Sequence, residues 1–222
     1  MKHLVLLIRH GQTTWNVEHR LPGHLPGVLL TALGREQAEQ LAAGLRPLPI
    51  SAIISSPLER AVETARYLDE GRGLNIQLDP ELMDLNSGPW AGQISEVLLA
   101  NDQDRRAFLR NPTITPPGVE SFSELQKRVV AAMQHWLSND AIGPCPAFVT
   151  HDDVIKVLLA YYMGLPLEHA RAIVVGNASV SVVLLEDDQP NRILATSWRP
   201  SPQWLKPSQQ SQSADTEEEK TA

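Results

Sequence analysis

Two arginines and two histidines lie near the ends of short apolar runs in this sequence. Arg9 and His10 directly follow the apolar run at residues 4–8. Arg60 comes shortly after a second run, and His151 comes shortly after a third. Short runs of this kind are typical of strands that are buried on both faces of a parallel sheet. Because the carboxyl ends of parallel strands share one edge of the sheet, we expect these side chains to meet in one crevice.

A crevice with this composition would be strongly electropositive and would suit a compact dianion such as a phosphate group. Planar guanidinium groups can each donate paired hydrogen bonds to phosphate oxygens. A neutral imidazole can attack phosphorus, and nearby arginines stabilise the charge that develops in phosphoryl transfer. Each residue alone also has a structural interpretation, as a solvated helix arginine or a surface histidine. Their joint placement at strand ends favours a phosphoryl-transfer site.

The apolar runs predict the strands that would position these residues. They lie at 4–8, 52–54, 147–149 and 179–185, and helical patterns separate them. Strands that alternate with helices predict an α/β fold, namely a three-layer α/β/α sandwich with a mostly parallel central sheet. The late run "VSVVLL" is compatible with pairing of two copies across a sheet edge, as in a homodimer, or with a position inside the sheet.

Apolar positions with helical spacing predict amphipathic helices between the strands. One helix is predicted after Thr31, and another at 154–163. Two more are predicted to begin with the Ser-x-x-Glu pattern of a capping box, at 56–59 and at 121–124. The strand ends and helix starts therefore fall close to the candidate site residues.

The composition limits the classes of partner and compartment. The 222 residues include 26 acidic and 19 basic side chains, a formal charge of -7, which argues against binding to a nucleic-acid backbone. The single cysteine, Cys145, excludes an intramolecular disulfide and a cysteine-based zinc site. The first apolar run is too short for a signal peptide, and no run is long enough to cross a membrane. We therefore expect a cytoplasmic protein with one domain at 1–200 and a disordered polar tail at 201–222.

Five motifs in a fixed order carry a resemblance to a known family. Between residues 3 and 185 the sequence resembles the histidine phosphatase superfamily, which has the phosphoglycerate-mutase-like fold. The motifs are "LIRHGQTTWN", "LTALGREQAEQLAAGL", "SSPLERAVETA", "PPGVESFSELQKRV" and "VTHDDVIKVLLAYYMGLP". Five motifs in the expected order are far more specific than any one of them.

The resemblance implies a role for each residue that matches a family motif. His10 matches the histidine that becomes phosphorylated, and His151 matches the second catalytic histidine, which contacts the phosphoryl group. The implied phosphate-binding residues are Arg9, Thr13, Asn16 and Arg60. No metal or other cofactor is implied, because arginines and histidines would stabilise the charge that a metal could otherwise stabilise.

The sequence departs from the family pattern at the proton donor. The family usually has a glutamate there, whereas "LMDLNSGPWAG" places Asp84 at that position and Ala91 where a second glutamate is common. Asp84 has the required carboxyl group on a side chain that is one methylene shorter. Glu81 is the alternative donor, and a third alternative is that neither residue serves.

Two further departures concern the surroundings of the pocket. "HDD" stands where many members have "HGG", and Asp152 is interpreted as a helix N-cap. An Asp152 or Asp153 that faced the pocket would instead favour a substrate with a cationic group. The connection at 92–118 is shorter than in mutases of this fold and is predicted to form a small helical cap. Three arginines in this cap are interpreted as solvated charges, with contacts in the pocket as the alternative: Arg105, Arg106 and Arg110.

These observations predict a metal-independent phosphomonoesterase that acts on a small phosphate ester. His10 would attack phosphorus, Asp84 would protonate the leaving group, and water would then hydrolyse the phosphohistidine. A phosphoglycerate-type mutase is an alternative, as is a phosphate-ligand-binding protein that has lost an efficient proton donor. Specificity would come from the 86–118 segment and from the loop "EHRLPGHLPGVLL", whose His19 and His24 are predicted to be exposed.

Overall fold

The computed structural model describes residues 2–200, which form a six-stranded sheet covered by helices on both faces. The strands are β1 (Lys2–Arg9), β2 (Ala52–Ser55), β3 (Gln77–Leu78), β4 (Pro146–Thr150), β5 (Val180–Glu186) and β6 (Arg192–Trp198). Their order across the sheet is β3-β2-β4-β1-β5-β6. The strands from β3 to β1 are parallel, whereas β5 is antiparallel to both β1 and β6. This arrangement confirms the predicted α/β fold with a mostly parallel sheet.

The helices connect these strands and cover the sheet. The α-helices of the described residues are α1 (Thr14–Val17), α2 (Ala32–Leu45), α3 (Glu59–Asp69), α4 (Ser95–Asn101), α5 (Gln103–Arg110), α6 (Phe122–Leu137) and α7 (Asp152–Met163). Short 3-10 helices lie at Pro80–Leu82, Gly88–Trp90, Asp140–Ile142 and Leu167–Ala172.

Successive residues of β1 point to opposite faces of the sheet, and both faces are covered. Val5 and Leu7 join an apolar core with side chains of α6 and α7. Leu6 and Ile8 join a second core with side chains of α2 and α3. All four side chains are fully buried, as expected for a strand in the middle layer of a sandwich.

Two predicted helix starts are confirmed. Thr31 caps α2, where its hydroxyl oxygen accepts a hydrogen bond from the Gly34 N–H at 2.9 Å. At the start of α6 the capping box is complete, because Ser121 Oγ accepts from the Glu124 N–H at 3.2 Å and Glu124 Oε2 accepts from the Ser121 N–H at 2.8 Å. Local sequence alone determines both of these helix starts.

The capping box predicted at Ser56 and Glu59 is wrong. Helix α3 begins at Glu59 without any side-chain cap. The Ser56 hydroxyl lies 2.8 Å from His151 Nε2, and the Glu59 carboxylate accepts a hydrogen bond from the Gly27 N–H at 3.0 Å. Partners that are distant in sequence have therefore replaced the local cap.

The prediction that Asp152 caps the last helix is also wrong. Helix α7 begins at Asp152, two residues before the predicted start, and its N-cap residue is His151. The Asp152 carboxylate accepts a hydrogen bond from Lys156 Nζ at 2.6 Å, one turn further along the helix. His151 consequently stands at the helix N-terminus, where backbone amide groups carry partial positive charge.

Two strands were not predicted from the sequence. β3 has only two residues, and β6 is an edge strand whose residues alternate between exposed and half-buried. The "VSVVLL" run belongs to β5, which lies inside the sheet between β1 and β6. The tail predicted at 201–222 lies outside the described residues, and no helix within residues 2–200 is long and apolar enough to span a bilayer.

The connection at 92–118 contains the helices α4 and α5, in agreement with the helical content predicted for it. The prediction that Arg105 is solvated is wrong, because only 6% of this residue is exposed. Its guanidinium group lies over the rings of Trp90 and Phe108. These cation–π contacts offset part of the free-energy cost of removing the charged group from water. Arg106 and Arg110 are exposed, as predicted.

Candidate active site

The structure brings the four residues at the strand ends into one crevice. The rings of His10 and His151 have their centroids 5.2 Å apart. Asp84 Oδ2 lies 3.1 Å from Arg60 Nη2 and 3.8 Å from His151 Nδ1. Residues from four segments of the chain, distant in sequence, thus surround one small space at the carboxyl edge of the sheet.

Backbone contacts orient the His10 side chain. His10 Nδ1 lies 2.7 Å from the Gly11 carbonyl oxygen. Because a carbonyl oxygen can only accept, this contact places the ring proton on Nδ1 and leaves the Nε2 lone pair available for attack. The neutral ring is therefore held in the tautomer that a nucleophile needs.

Close packing of α2 on the loop after β1 holds this arrangement in place. A Cβ atom on Gly11 would lie 2.3 Å from the Gly34 carbonyl oxygen, and one on Gly34 would lie 2.0 Å from the Gln12 carbonyl oxygen. Only glycine allows the two backbones to approach so closely. The glycine of "RHG" is thereby explained by packing next to His10.

Buried nitrogen donors surround the space between the two histidines. Arg60 is fully buried and donates from Nη2 to the Gly23 carbonyl oxygen and to Asp84 Oδ2, both at 3.1 Å. Its Nε and Nη1 atoms are buried and have no hydrogen-bond partner among residues 2–200. The same is true of Arg9 Nε and of His151 Nδ1. The crevice therefore holds buried guanidinium nitrogens that have no acceptor, and unpaired buried donors of this kind are rare.

Arg9 reaches the site from the last residue of β1. Its Nη1 atom donates to the Val175 carbonyl oxygen at 2.5 Å, in the segment that follows the Leu167–Ala172 helix. This bond leaves other guanidinium edges available for a ligand. Arg9 and Arg60 thus approach the crevice from different elements, so they can donate hydrogen bonds to different oxygens of one phosphate group.

The structure places the two candidate proton donors very differently. Asp84 lies inside the crevice, where its Oδ1 accepts a hydrogen bond from the Leu85 N–H at 2.9 Å. Glu81 is the middle residue of the 3-10 helix at Pro80–Leu82, and its side chain is exposed to solvent. The geometry therefore favours Asp84 as the donor.

The loop that carries Asp84 is held by two side chains that the sequence analysis did not assign to the site. His24 Nε2 lies 2.6 Å from the Asp84 carbonyl oxygen, and Arg128 Nη2 donates to the same oxygen at 2.9 Å. His24 is half-buried rather than exposed, which corrects the prediction made from the turn-rich loop. No local pattern could have revealed this contact, because it joins segments 60 residues apart.

Thr13 and Asn16 form a local motif beside the crevice. Thr13 is fully buried and caps α1, and the two residues exchange hydrogen bonds in a capping box. Asn16 Oδ1 also accepts a hydrogen bond from Asn177 Nδ2 at 3.1 Å. The Asn16 amide nitrogen is consequently oriented, and Asn177 is a further polar residue near His10 that sequence reasoning missed.

Burial and charge shift the protonation of all three titratable groups in the crevice. Burial and then the charge of Arg60 lower the pKa of His10 and of His151 well below the usual value of 6.5. Burial raises the pKa of the Asp84 carboxyl above its usual 3.8, although Arg60 acts in the opposite direction. The folded protein thus favours neutral imidazoles and a protonated carboxyl group.

The lowered histidine pKa values predict how stability depends on pH. Below the unfolded-state value of 6.5, His10 and His151 bind protons in the unfolded chain but not in the folded one. The free energy of unfolding should therefore rise as the pH increases from 5 to 7, by up to about 1.4 kcal/mol per pH unit for each such histidine. The raised Asp84 pKa acts with the opposite sign, from pH 3.8 up to its folded-state value.

Urea denaturation at several pH values, in buffers without phosphate, would measure this slope. His10→Gln should reduce it, whereas His135→Gln, which changes an exposed histidine of α6, should leave it unchanged. An equal slope in the wild type and in His10→Gln would show that His10 is protonated in the folded protein.

Among residues 2–200, no group of three or more His, Cys, Asp or Glu side chains is arranged to hold a metal ion. The residues that the crevice offers to a ligand are instead arginines and neutral histidines. This donor set suits a phosphate or another compact oxyanion.

Comparison with known proteins adds a sequence relationship. The family model of the histidine phosphatase superfamily (branch 1) matches residues 5–197. A protein described as "Probable phosphoglycerate mutase GpmB" from Enterobacter sp. (strain 638) is 36% identical over 196 residues, which cover 87% of this chain and 89% of that protein. Its counterpart from Yersinia enterocolitica is 34% identical over 197 residues, with the same coverage.

Solved structures show the same similarity in three dimensions. The alpha-ribazole phosphatase from Shigella flexneri has a TM-score of 0.79 at 28% identity and covers 90% of this chain and 98% of its own. The mycobacterial glucosyl-3-phosphoglycerate phosphatase in complex with VO3 has a TM-score of 0.78 at 28% identity and covers 90% of this chain and all of its own. Both similarities extend over nine-tenths of this chain.

Proposed function

This chain belongs to the histidine phosphatase superfamily, and we propose that it is a cytoplasmic phosphomonoesterase that hydrolyses a small phosphate ester through a phosphohistidine at His10. The observation that carries the proposal is the set of buried guanidinium donors without partners on Arg9 and Arg60, together with the unpartnered His151 Nδ1, around the His10 ring. Buried cationic donors are costly unless an anion satisfies them. A phosphoryl group between the two histidines would do so, and the vanadate complex of a relative supports this assignment.

In the first step, His10 Nε2 attacks phosphorus and the bond from phosphorus to the ester oxygen breaks. Arg9, Arg60 and His151 donate hydrogen bonds to the phosphoryl oxygens and stabilise their charge as it redistributes. Asp84, whose protonated form is favoured because burial raises its pKa, gives its proton to the departing alkoxide. The products of this step are the free alcohol and phospho-His10.

In the second step, water attacks the phosphorus of phospho-His10 and the bond between phosphorus and Nε2 breaks. Asp84, now a carboxylate, accepts a proton from the attacking water and returns to its starting state. The lowered pKa of His10 makes the neutral imidazole a stable leaving group at neutral pH. Inorganic phosphate is released, and no cofactor takes part.

A phosphoglycerate-type mutase is the second candidate, because two relatives, 36% and 34% identical to this chain, are described as probable phosphoglycerate mutases. A mutase would return the phosphoryl group to a second hydroxyl and would depend on a bisphosphate to keep His10 phosphorylated. The connection at 92–118 contains only α4 and α5. We favour hydrolysis, because the longer insertion that accompanies mutase chemistry in this fold has no counterpart in that connection.

Phosphate release from an aryl phosphate, measured from pH 5 to 8 with a chelator present, would test the proposal. We expect saturable release that the chelator does not reduce and that vanadate inhibits. Interconversion of 2- and 3-phosphoglycerate that exceeds phosphate release and requires a bisphosphate would instead identify a mutase. Saturable vanadate binding without any turnover would identify a ligand-binding protein.

A further inference from the structure

Two arginines outside the crevice share one aromatic surface. Arg105, from α5, has its Cζ atom 5.3 Å from the ring centroid of Trp90 and 5.4 Å from that of Phe108. Arg171, from the Leu167–Ala172 helix, has its Cζ atom 5.5 Å from the centroid of Phe108. Burial, and then the charge of Arg171, lowers the pKa of Arg105 to about 10. The Arg105 guanidinium group is therefore still charged at neutral pH, and Arg171 repels it.

Within residues 2–200, neither guanidinium group forms a close ion pair with a carboxylate. Arg105 is 6% exposed, and its buried Nε atom has no hydrogen-bond acceptor there. The adjacent carboxylate of Asp102 accepts hydrogen bonds from the Arg105 backbone N–H at 2.9 Å and from Trp90 Nε1 at 2.8 Å. Asp102 thus caps α5 and holds the indole, and Arg105 Nε stays without a partner, which is costly for a buried cation.

Three links place this pair beside the crevice. Asp153, two residues after His151, is near enough for its charge to act on both Asp84 and Arg105. Trp90 follows Asp84 in the same loop after six residues. Arg171 precedes by four residues the Val175 carbonyl that accepts the hydrogen bond from Arg9.

We propose that Arg105 and Arg171 form a second anion-binding site, which binds a carboxylate or second phosphate group of the same ester whose phosphoryl group binds at His10. This inference rests on the proposed function and specifies its substrate class. Guanidinium groups stacked on aromatic rings are preorganised, and their edges can donate paired hydrogen bonds to oxyanions. The charge of Asp153 acts on both Asp84 and Arg105, so it repels an anionic group placed next to it. The substrate is therefore an extended phosphate ester whose second anionic group is separated from phosphorus by several bonds.

Two matched series of esters would test the site. Alkyl phosphates of two to six carbons with a terminal carboxylate are compared with those that end in a hydroxyl group, and alkyl bisphosphates distinguish the two anions. We expect the wild type to have a higher kcat/KM for one of the anionic series than for the hydroxyl series, with a maximum of kcat/KM at one chain length. Arg105→Gln and Arg171→Gln should each lower kcat/KM for that ester by about 10- to 100-fold and for its hydroxyl counterpart by less than about 3-fold.

Arg110→Gln provides the matched control, since it removes the same charge from an exposed position on α5. Equal kcat/KM values for the two series at every length, or equal losses on both in Arg105→Gln, would overturn the proposal. If Arg105→Gln does not fold, Arg171→Gln, at a half-buried position, decides in the same way.

If the wild type hydrolyses none of these esters, the proposed function fails separately. Calorimetry with carboxyalkyl phosphonates then tests the anion site alone. Weaker binding in Arg171→Gln than in the wild type would support the site, and equal binding would overturn it.

Discussion

His10→Ala is expected to lower kcat/KM for an aryl phosphate by at least about 10³-fold, because the variant lacks the group that attacks phosphorus. The surrounding arginines would still bind the ester, so KM should change much less than kcat. The variant should also fail to form the acid-labile phosphoenzyme that the wild type forms during turnover. Phosphate release and mass spectrometry of rapidly quenched enzyme would measure the two effects.

His135→Ala is the matched control for this loss, because His135 is exposed on α6. Both variants should remain folded in a thermal unfolding assay. Retention of most activity in a folded His10→Ala protein would contradict phosphohistidine chemistry and would require another nucleophile. The absence of a phosphoenzyme in an active wild type would argue for direct attack by water.

Asp84→Asn is expected to have an effect that depends on the leaving group. An alkyl alkoxide needs a proton as it departs, so kcat for an alkyl phosphate should fall by about 10²- to 10⁴-fold. A nitrophenolate leaves without protonation, so release from nitrophenyl phosphate should fall much less in the step that breaks the ester bond. Burst kinetics would separate this step from hydrolysis of phospho-His10, in which Asp84 also takes part.

The pH dependence of the rate tests whether Asp84 acts as the acid. Because burial raises the Asp84 pKa, the acid is present at low pH and is lost as the pH rises through that raised value. The wild-type rate with an alkyl phosphate should therefore decline on the alkaline side, and Asp84→Asn should lack this decline. Protonation of His10 removes the nucleophile, so the rate should also fall at acidic pH. Because the pKa of His10 is lowered, this fall should occur below pH 6.5.

Asp84 also accepts a hydrogen bond from Arg60 at 3.1 Å, so the substitution could act through that contact. Equal losses for alkyl and aryl esters in the first step would indicate this positioning role and contradict proton donation. Asp84→Glu should retain part of the alkyl activity, because it keeps the carboxyl group and changes only its reach. Glu81→Gln should leave both activities unchanged, since Glu81 is exposed to solvent.

Local and periodic features of the sequence were sufficient to predict the architecture of the fold. The alternation of apolar runs with helical periods determined the layered α/β fold, because burial on both faces requires such runs. The placement of Arg9, His10 and His151 at strand ends followed from the rule that parallel strands share one carboxyl edge. The capping box at the start of α6 was also predictable, because its partners lie three residues apart.

Contacts between distant segments could not be predicted in the same way. Ser56 has the sequence signature of a cap, yet its hydroxyl contacts His151, 95 residues away. His24 lies in a turn-rich loop, yet its ring holds the Asp84 backbone. In both cases a tertiary partner offers a buried hydrogen bond, which is worth more than the local or solvated alternative.

The sequence by itself determined the fold class, the family and the residues that could form a phosphate site, because these depend on periodicity and motif order. Only the tertiary structure decided which carboxyl group enters the crevice and which arginines are buried. Asp84 and Glu81 lie three residues apart, yet one faces His151 and the other faces solvent. Arg105 and Arg106 are neighbours, yet only Arg105 stacks on the aromatic surface. Burial and charge environment depend on what packs against a residue, and that is a property of the whole fold.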